Sequence, residues 1–464
     1  MDEFMSEDER LALRKFESML QSNKVYFFDS EEFEEIVYHY MDLGKLNLAN
    51  KAIDLSLSQH PTSLSLKLIK VELLIFQNKH KLASKLLNHI ASINPLIHEI
   101  YIHKAAIASK SDDHDEAIIQ LSIALDLADD DDQVDVYALL GMEYLFVEKF
   151  KKAIENFDMC LYLDIEDYAA LYNIIYCFDM LDEHKEAIEY LNEYIDKNPY
   201  SEIAWHQLGR QYLNLKKYKD AIRAFDYAIL IDEQFIGAYL EKGKALEAEK
   251  KYEEAIANYM KTLQLDDPTA FTYLQIGDCY KKIKNKQLSL DYFHKAIEED
   301  PLLDKAWLML TDLYLELDEN EKALIYINQA LDVESTNTDY LNRYAEISIR
   351  LNLFEEAVVA FRQSIDLGDD RLVIFLALAD LLHYIGEYND AKTVLLQAYK
   401  KYKNSFEIEY RLAGIHFLLH EDQQAMTFIE KAMQANYNYK KTAEDIFPEM
   451  FLRTDVLKLI AKFM

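Results

Sequence analysis

A small residue, a large apolar residue four places on and, in most copies, a second small residue seven places on recur twelve times along the chain. The leading positions are Ala49, Ala83, Ala117, Ala153, Ala187, Ala221, Ala255, Ser289, Ala323, Ala357, Ala391 and Ala425. Ten of the eleven steps between them are 34 residues. The step from Ala117 to Ala153 is 36 and contains the acidic run Asp129–Asp132. A fixed period of this length commits a chain to stacked copies of one supersecondary unit, each burying its apolar face against its neighbours.

The rest of the unit follows from fixed offsets. Twelve residues before the leading position stands a small residue in most copies: Gly141, Gly209, Gly243, Gly277, Ala345, Ala379 and Ala413. Four residues earlier come Tyr101, Tyr137, Trp205, Tyr239, Tyr273, Trp307 and Phe375. Pro61, Pro95, Pro199 and Pro301 follow the leading position by twelve. Apolar spacings of three, four and seven place these residues on one face of a helix. Each unit reads as two helices, the second closed by proline, which cannot continue a helix. Only 9 glycines and 6 prolines occur in 464 residues, as expected of an almost wholly helical chain. Small residues are expected where the two helices cross, with the aromatics filling the gaps beside them.

The pattern Trp205-Leu208-Gly209-Tyr212-Ala221-Phe225-Ala228, echoed by Tyr273-Ile276-Gly277-Tyr280-Phe293-Ala296-Pro301, resembles the tetratricopeptide repeat family. The resemblance covers roughly residues 30–436. It implies an all-α, right-handed superhelical solenoid of about twelve helix–turn–helix repeats. Lys70 and Lys104 stand where leucine is usual, and Ile175 where glycine is usual, so looser packing or altered pitch is expected there. Two terminal regions complete the division. Residues 1–29 read as an N-terminal capping helix, with a capping box at Ser6–Glu9 and an apolar face of Ala12, Phe16 and Met19. Residues 437–464 read as C-terminal capping helices, with Thr442–Met464 forming two short pieces around Pro448 and Val456, Leu459, Ile460 and Phe463 in one stripe. Exchange of that tail with a second copy, giving a homodimer, is an alternative.

In the resembled family the first helices line a concave face, where the positions one and five after the aromatic are free of packing duty. Carried onto this chain, they and their neighbours give a peptide-binding groove of Tyr172, Asn173, Tyr176, His206, Gln207, Arg210, Asn214, Glu241, Lys244, Gln275 and Asp278. Amides bind peptide backbone, aromatics stack, and the Arg210 fork suits a carboxylate. A solvated face with internal ion pairs is the plainer reading. Two specialisations of the family are absent from the pattern. No first helix carries the Lys and Asn pair, four apart, that clamps a terminal carboxylate. No asparagine ladder follows the aromatics, which are followed by Asn173, Gln207, Glu241, Gln275, Met309 and Arg343.

The formal net charge is −33, which repels phosphate backbones and favours basic partners. Lys281, Lys282, Lys284 and Lys286 are too few for a nucleic-acid surface. No apolar run is long enough for a membrane span, and the acidic N-terminus lacks a signal-peptide core, so a cytoplasmic protein is expected. Richness in Tyr, Ile, Lys and Asn suggests an AT-rich bacterial genome. Cys160, Cys177 and Cys279 lack metal or disulfide spacing and read as buried thiols. The histidines are scattered, and Asp129–Asp132 lacks the glycine and distal glutamate of a calcium loop. No nucleophile triad, phosphate loop or His-Glu-x-x-His motif is present. The expectation is a non-enzymatic scaffold without cofactors that binds partner proteins or peptides. The alternative is a regulatory sensor holding a small peptide or metabolite in the central groove.

Overall fold

The computed structural model describes residues 7–22, 26–265 and 269–463, with side chains from Leu11 onward, so the capping box expected at Ser6–Glu9 lies outside the described residues. Among the described residues the chain is all helix, turn and loop, with no strand. It divides into two compact units, Met1–Glu233 and Gln234–Met464. Each is a stack of helical hairpins. The first unit begins with helix Glu7–Gln21 and holds the hairpins from Ser30–Asp42/Leu46–Gln59 to Glu202–Asn214/Tyr218–Ile231. The second runs from Ile236–Ala248/Tyr252–Leu265 to Phe406–Leu418/Asp422–Ala435 and ends in a tail of short helices. Every expected repeat is a hairpin of this kind, so the architecture is an all-α solenoid of tandem repeats.

Local chemistry sets the helix ends. Many first helices open on a short polar side chain that accepts an orphan backbone N–H. Ser63 serves Leu66, Asp167 serves Ala170, Ser201 serves Ala204, and Thr269 serves Thr272, each cap contributing about 1 kcal/mol. The turn between the two helices of a hairpin is built otherwise. One residue there always has positive φ: Gly44, Asn78, Asp112, Glu148, Asp182, Lys216, Lys250, Lys284, Asp318, Asn352, Gly386 or His420. It lies five residues before the leading small residue, and only two of the twelve are glycine. The left-handed conformation crowds a Cβ, so most of these turns are held by the packing of the helices they join.

Within a unit, each hairpin closes on itself and its second helix packs on the first helix of the next hairpin. First helices also touch directly, as Tyr168–Met180 does Glu202–Asn214. The leading alanines are buried at this crossing, all but Ala425 fully. The gap-filling residue differs from the sequence expectation. Trp205 lies partly exposed, stacked on Tyr227 with ring centroids 4.4 Å apart, and its Nε1–H donates to the Pro199 carbonyl at 3.0 Å. Trp307 donates likewise to Pro301 (2.8 Å) and the Tyr101 hydroxyl to Pro95 (2.9 Å). These aromatics tie each first helix to the turn preceding it. The gap at Gly209 is filled by Phe225, sixteen residues on, whose ring would lie 2.5 Å from a Cβ added to the glycine.

The departures from the repeat pattern are accommodated individually. Lys70 pairs with Asp54 at 2.9 Å, and the Lys104 ammonium sits 4.7 Å from the Tyr101 ring centroid. Ile175 is buried. After a 3-10 turn Tyr437–Tyr439, the C-terminal tail forms three helices where two pieces were expected: Lys440–Ile446, Pro448–Phe451 and Thr454–Ile460. Phe447 packs against Gly414, where a Cβ would come within 2.4 Å of the ring. Arg453 lies 4.8 Å over the Phe417 ring, and Arg411 forks onto Asp380 at 2.7 Å while donating to the Tyr439 hydroxyl at 3.0 Å. Val456, Leu459 and Ile460 are buried on the last hairpin of the same chain.

Candidate partner-binding face

In each unit the first helices form one layer and the second helices the other. The sequence-selected residues divide between the units. Tyr172, Asn173 and Tyr176 lie on helix Tyr168–Met180, and His206, Gln207, Arg210 and Asn214 on helix Glu202–Asn214, both in the first unit. Glu241 and Lys244 lie on helix Ile236–Ala248, and Gln275 and Asp278 on helix Ala270–Lys282, in the second.

Their environments differ. Tyr172 and Tyr176 are 42% and 51% exposed, and Arg210 and Asn214 are also exposed. His206 is partly buried, its ring 5.7 Å from that of Phe225. Gln207 is 1% exposed, so it lies beneath the surface where an open groove residue was expected. Its Oε1 accepts from Arg210 Nη1 at 3.1 Å, which orients the guanidinium. Burial follows from its helix position, two residues before Gly209 on the side facing the neighbouring hairpin. In the second unit Glu241 and Lys244 form an ion pair (2.7 Å), and the Lys244 ammonium also lies 5.7 Å from the Phe271 ring centroid. Asp278 approaches Lys282 at 4.0 Å, and Gln275 is partly buried.

A cleft of about 430 Å³ opens one hairpin earlier on the first-helix layer, among helices His98–Ser109, Gln133–Phe146 and Tyr168–Met180. Ile102, Leu139 and Met142 line it, Asp135 and Asp167 contribute carboxylates, and Asn173 alone of the sequence-selected residues reaches it. Leu139 and Met142 are 41% and 39% exposed. The signal for this cleft was present in the sequence. The offsets of one and five that select Tyr172 and Tyr176 also select Ile102 after Tyr101 and Met142 after Tyr137.

The thiols are enclosed. All three cysteines are free and buried, and burial pushes the Cys160 thiol up to about 12 and that of Cys177 to about 11. Among the described residues no group of three or more His, Cys, Asp or Glu could hold a metal ion. Asp129 and Asp132 make a turn in which Asp129 Oδ1 accepts from the Asp132 N–H at 3.2 Å, and Asp132 approaches His98 at 3.2 Å. No helix among the described residues is long and apolar enough to cross a membrane.

A stack of two-helix hairpins in 34-residue register, with an open first-helix layer, defines a repeat protein built for interaction with other proteins. Two family models, each described as tetratricopeptide repeat, match residues 169–201, 203–235, 236–268, 272–301 and 304–337. These five segments are tetratricopeptide repeats. No curated protein matches it. Solved structures similar to it include YrrB, described as a tetratricopeptide repeat protein with an unusual peptide-binding site (17% identity, 41% of this chain and 98% of that one, TM-score 0.34). MamA shows 21% identity over 34% of this chain and 94% of that one, with a TM-score of 0.33. The Cut9–Hcn1 hetero-tetramer of APC/C shows 14% identity over 89% of this chain and 94% of that one, with a TM-score of 0.37.

Proposed function

We propose that this protein is a non-catalytic scaffold that binds partner proteins through extended segments laid on its first-helix layer. One observation carries the reading. Leu139, Met142, Tyr172 and Tyr176 stay about two-fifths to one-half exposed on two consecutive first helices, in repeats whose other large side chains are mostly spent on packing. Such side chains offer contact area at little ordering cost, and the Arg210 fork beyond them supplies a directional contact for a carboxylate or carbonyl. The negative charge favours basic partners and speeds their encounter. The acidic, cysteine-poor sequence fits a cytoplasmic setting.

Site-specific photo-cross-linking tests this. A benzophenone amino acid placed at Tyr176 should capture discrete partner proteins in cells. The same group at Ile119, exposed on second helix His114–Leu127, should not. Capture from Ile119 alone, or from neither, would reject the proposal. In an affinity pull-down without the cross-linker, Arg210→Ala combined with Tyr176→Ala should weaken partner binding without abolishing it. Complete loss would favour the small-ligand sensor.

A further inference from the structure

The cleft among helices His98–Ser109, Gln133–Phe146 and Tyr168–Met180 has three properties that specify what could fill it. Its floor is apolar and open, since Ile102, Leu139 and Met142 line it and two of them keep about two-fifths of their surface in solvent. Its rim is anionic. Asp135 is exposed, and Asp167 spends one oxygen on the Ala170 N–H (2.9 Å), which fixes the carboxylate in place. Its surroundings are the most acidic part of the chain. Residues 98–180 carry 19 carboxylates against 5 lysines and no arginine, a net −14 of the chain's −33.

The break in the repeat period falls at the same place. The two additional residues fall in the connector and the start of helix Gln133–Phe146. They make room for an acidic turn whose Asp132 meets His98, at the start of the helix that carries Ile102. Extra length, clustered negative charge and uncovered apolar side chains therefore coincide on one set of hairpins.

We infer that this cleft is the anchoring point for a lysine- or arginine-rich segment of a partner protein, with one bulky apolar side chain inserted over Leu139 and Met142. This rests on the scaffold reading above and narrows it to one place and one partner chemistry. The apolar residue supplies the driving force by covering the floor. Cations on either side meet Asp135 and Asp167 while the wider acidic field steers the approach. A purely apolar segment would leave the carboxylates unanswered, and an acidic one would be repelled.

Fluorescence anisotropy with the full chain and three labelled heptapeptides provides the test. The probes are Lys-Arg-Lys-Leu-Lys-Arg-Lys, the same peptide with glycine for leucine, and Glu-Glu-Glu-Leu-Glu-Glu-Glu. The leucine-bearing basic peptide should bind at least ten-fold tighter than its glycine counterpart, and the acidic peptide should not bind. Leu139→Ser with Met142→Ser should erase the preference for leucine, while Ile119→Ser should leave it intact. Asp135→Asn with Asp167→Asn, which retains the helix cap at 167, should weaken both basic peptides and flatten their salt dependence. Equal binding of the two basic peptides, or binding unchanged in the Leu139/Met142 variant, would overturn the inference. If Tyr176 still captures partners while the basic peptides show no preference, this anchoring site fails and the scaffold reading stands. Loss of capture from Tyr176 would fall on the scaffold reading itself.

Discussion

The ring of Phe225 lies so close over Gly209 that a Cβ on the glycine would sit 2.5 Å from it. The same relation joins Gly141 to Phe157, Gly243 to Tyr259 and Gly277 to Phe293. Other repeats carry different pairs at the same two positions: Val37 with Ile53, Ala105 with Leu121, Ile175 with Leu191, Thr311 with Ile327 and Ala379 with Leu395. Each glycine faces an aromatic ring, and the larger residues mostly face aliphatic ones. At this crossing a glycine makes room for an aromatic ring, and most residues with a Cβ face a smaller aliphatic side chain.

Gly209→Ala should therefore destabilise the chain by about 1–3 kcal/mol through overpacking. The compensated pair Gly209→Ala with Phe225→Leu should recover much of that loss, since Ala379 and Leu395 already occupy the equivalent positions. Hydrogen exchange across residues 202–231 in the two variants would measure both effects locally.

The positive-φ turns give a second prediction. Lys216 and Lys250 hold φ of 57° and 62°, a conformation that costs a side-chain-bearing residue about 1 kcal/mol. Lys216→Gly and Lys250→Gly should each stabilise the fold by up to that amount, and Gly386→Lys should cost a similar amount. Urea unfolding midpoints would show opposite shifts for the two classes.

Acid sensitivity should concentrate at Asp369. Its carboxylate accepts Arg371 Nη2 at 2.6 Å and Asn342 Nδ2 at 2.7 Å, and the Arg371 guanidinium holds its pKa well below the usual carboxylate range. A depressed folded-state pKa contributes stability above the unfolded value, about 4, and loses it as pH falls below that toward the folded value. Asp369→Asn should thus be clearly less stable than wild type at pH 7. The gap should close on acidification below pH 4, as measured by paired thermal melts.

The thiols should be silent in the native state. With Cys160 and Cys177 pushed up to about 12 and about 11 by burial, little thiolate is present at pH 8. Ellman's reagent should titrate no thiol rapidly in buffer and three in 8 M urea.

Removal of residues 437–464 should uncover Gly414, Phe417 and Tyr410, which now pack against Phe447, Arg453 and Tyr439. Exposed apolar patches of that kind drive association. The shortened chain should bind a hydrophobic dye and rise in mass by light scattering.

The sequence by itself determined the repeat, because a 34-residue period with small and large residues at fixed offsets is satisfied only by stacked helical hairpins. It also marked the leading alanines and Gly209 as packing positions, since helix crossings tolerate no bulk. It did not reveal which aromatic fills the gap. Trp205 and Phe225 are equally apolar in sequence, and only the crossing geometry turns one toward the Pro199 carbonyl and the other onto Gly209. The positive-φ turns were hidden for a related reason. Lysine, aspartate and glutamate occupy them because helix packing, not residue preference, dictates that conformation. For the candidate face, the offsets selected Tyr172, Tyr176 and Arg210, which are exposed, whereas Gln207, added as their neighbour, is not. Whether a side chain on a first helix meets solvent or the next hairpin depends on how neighbouring helices are set against each other.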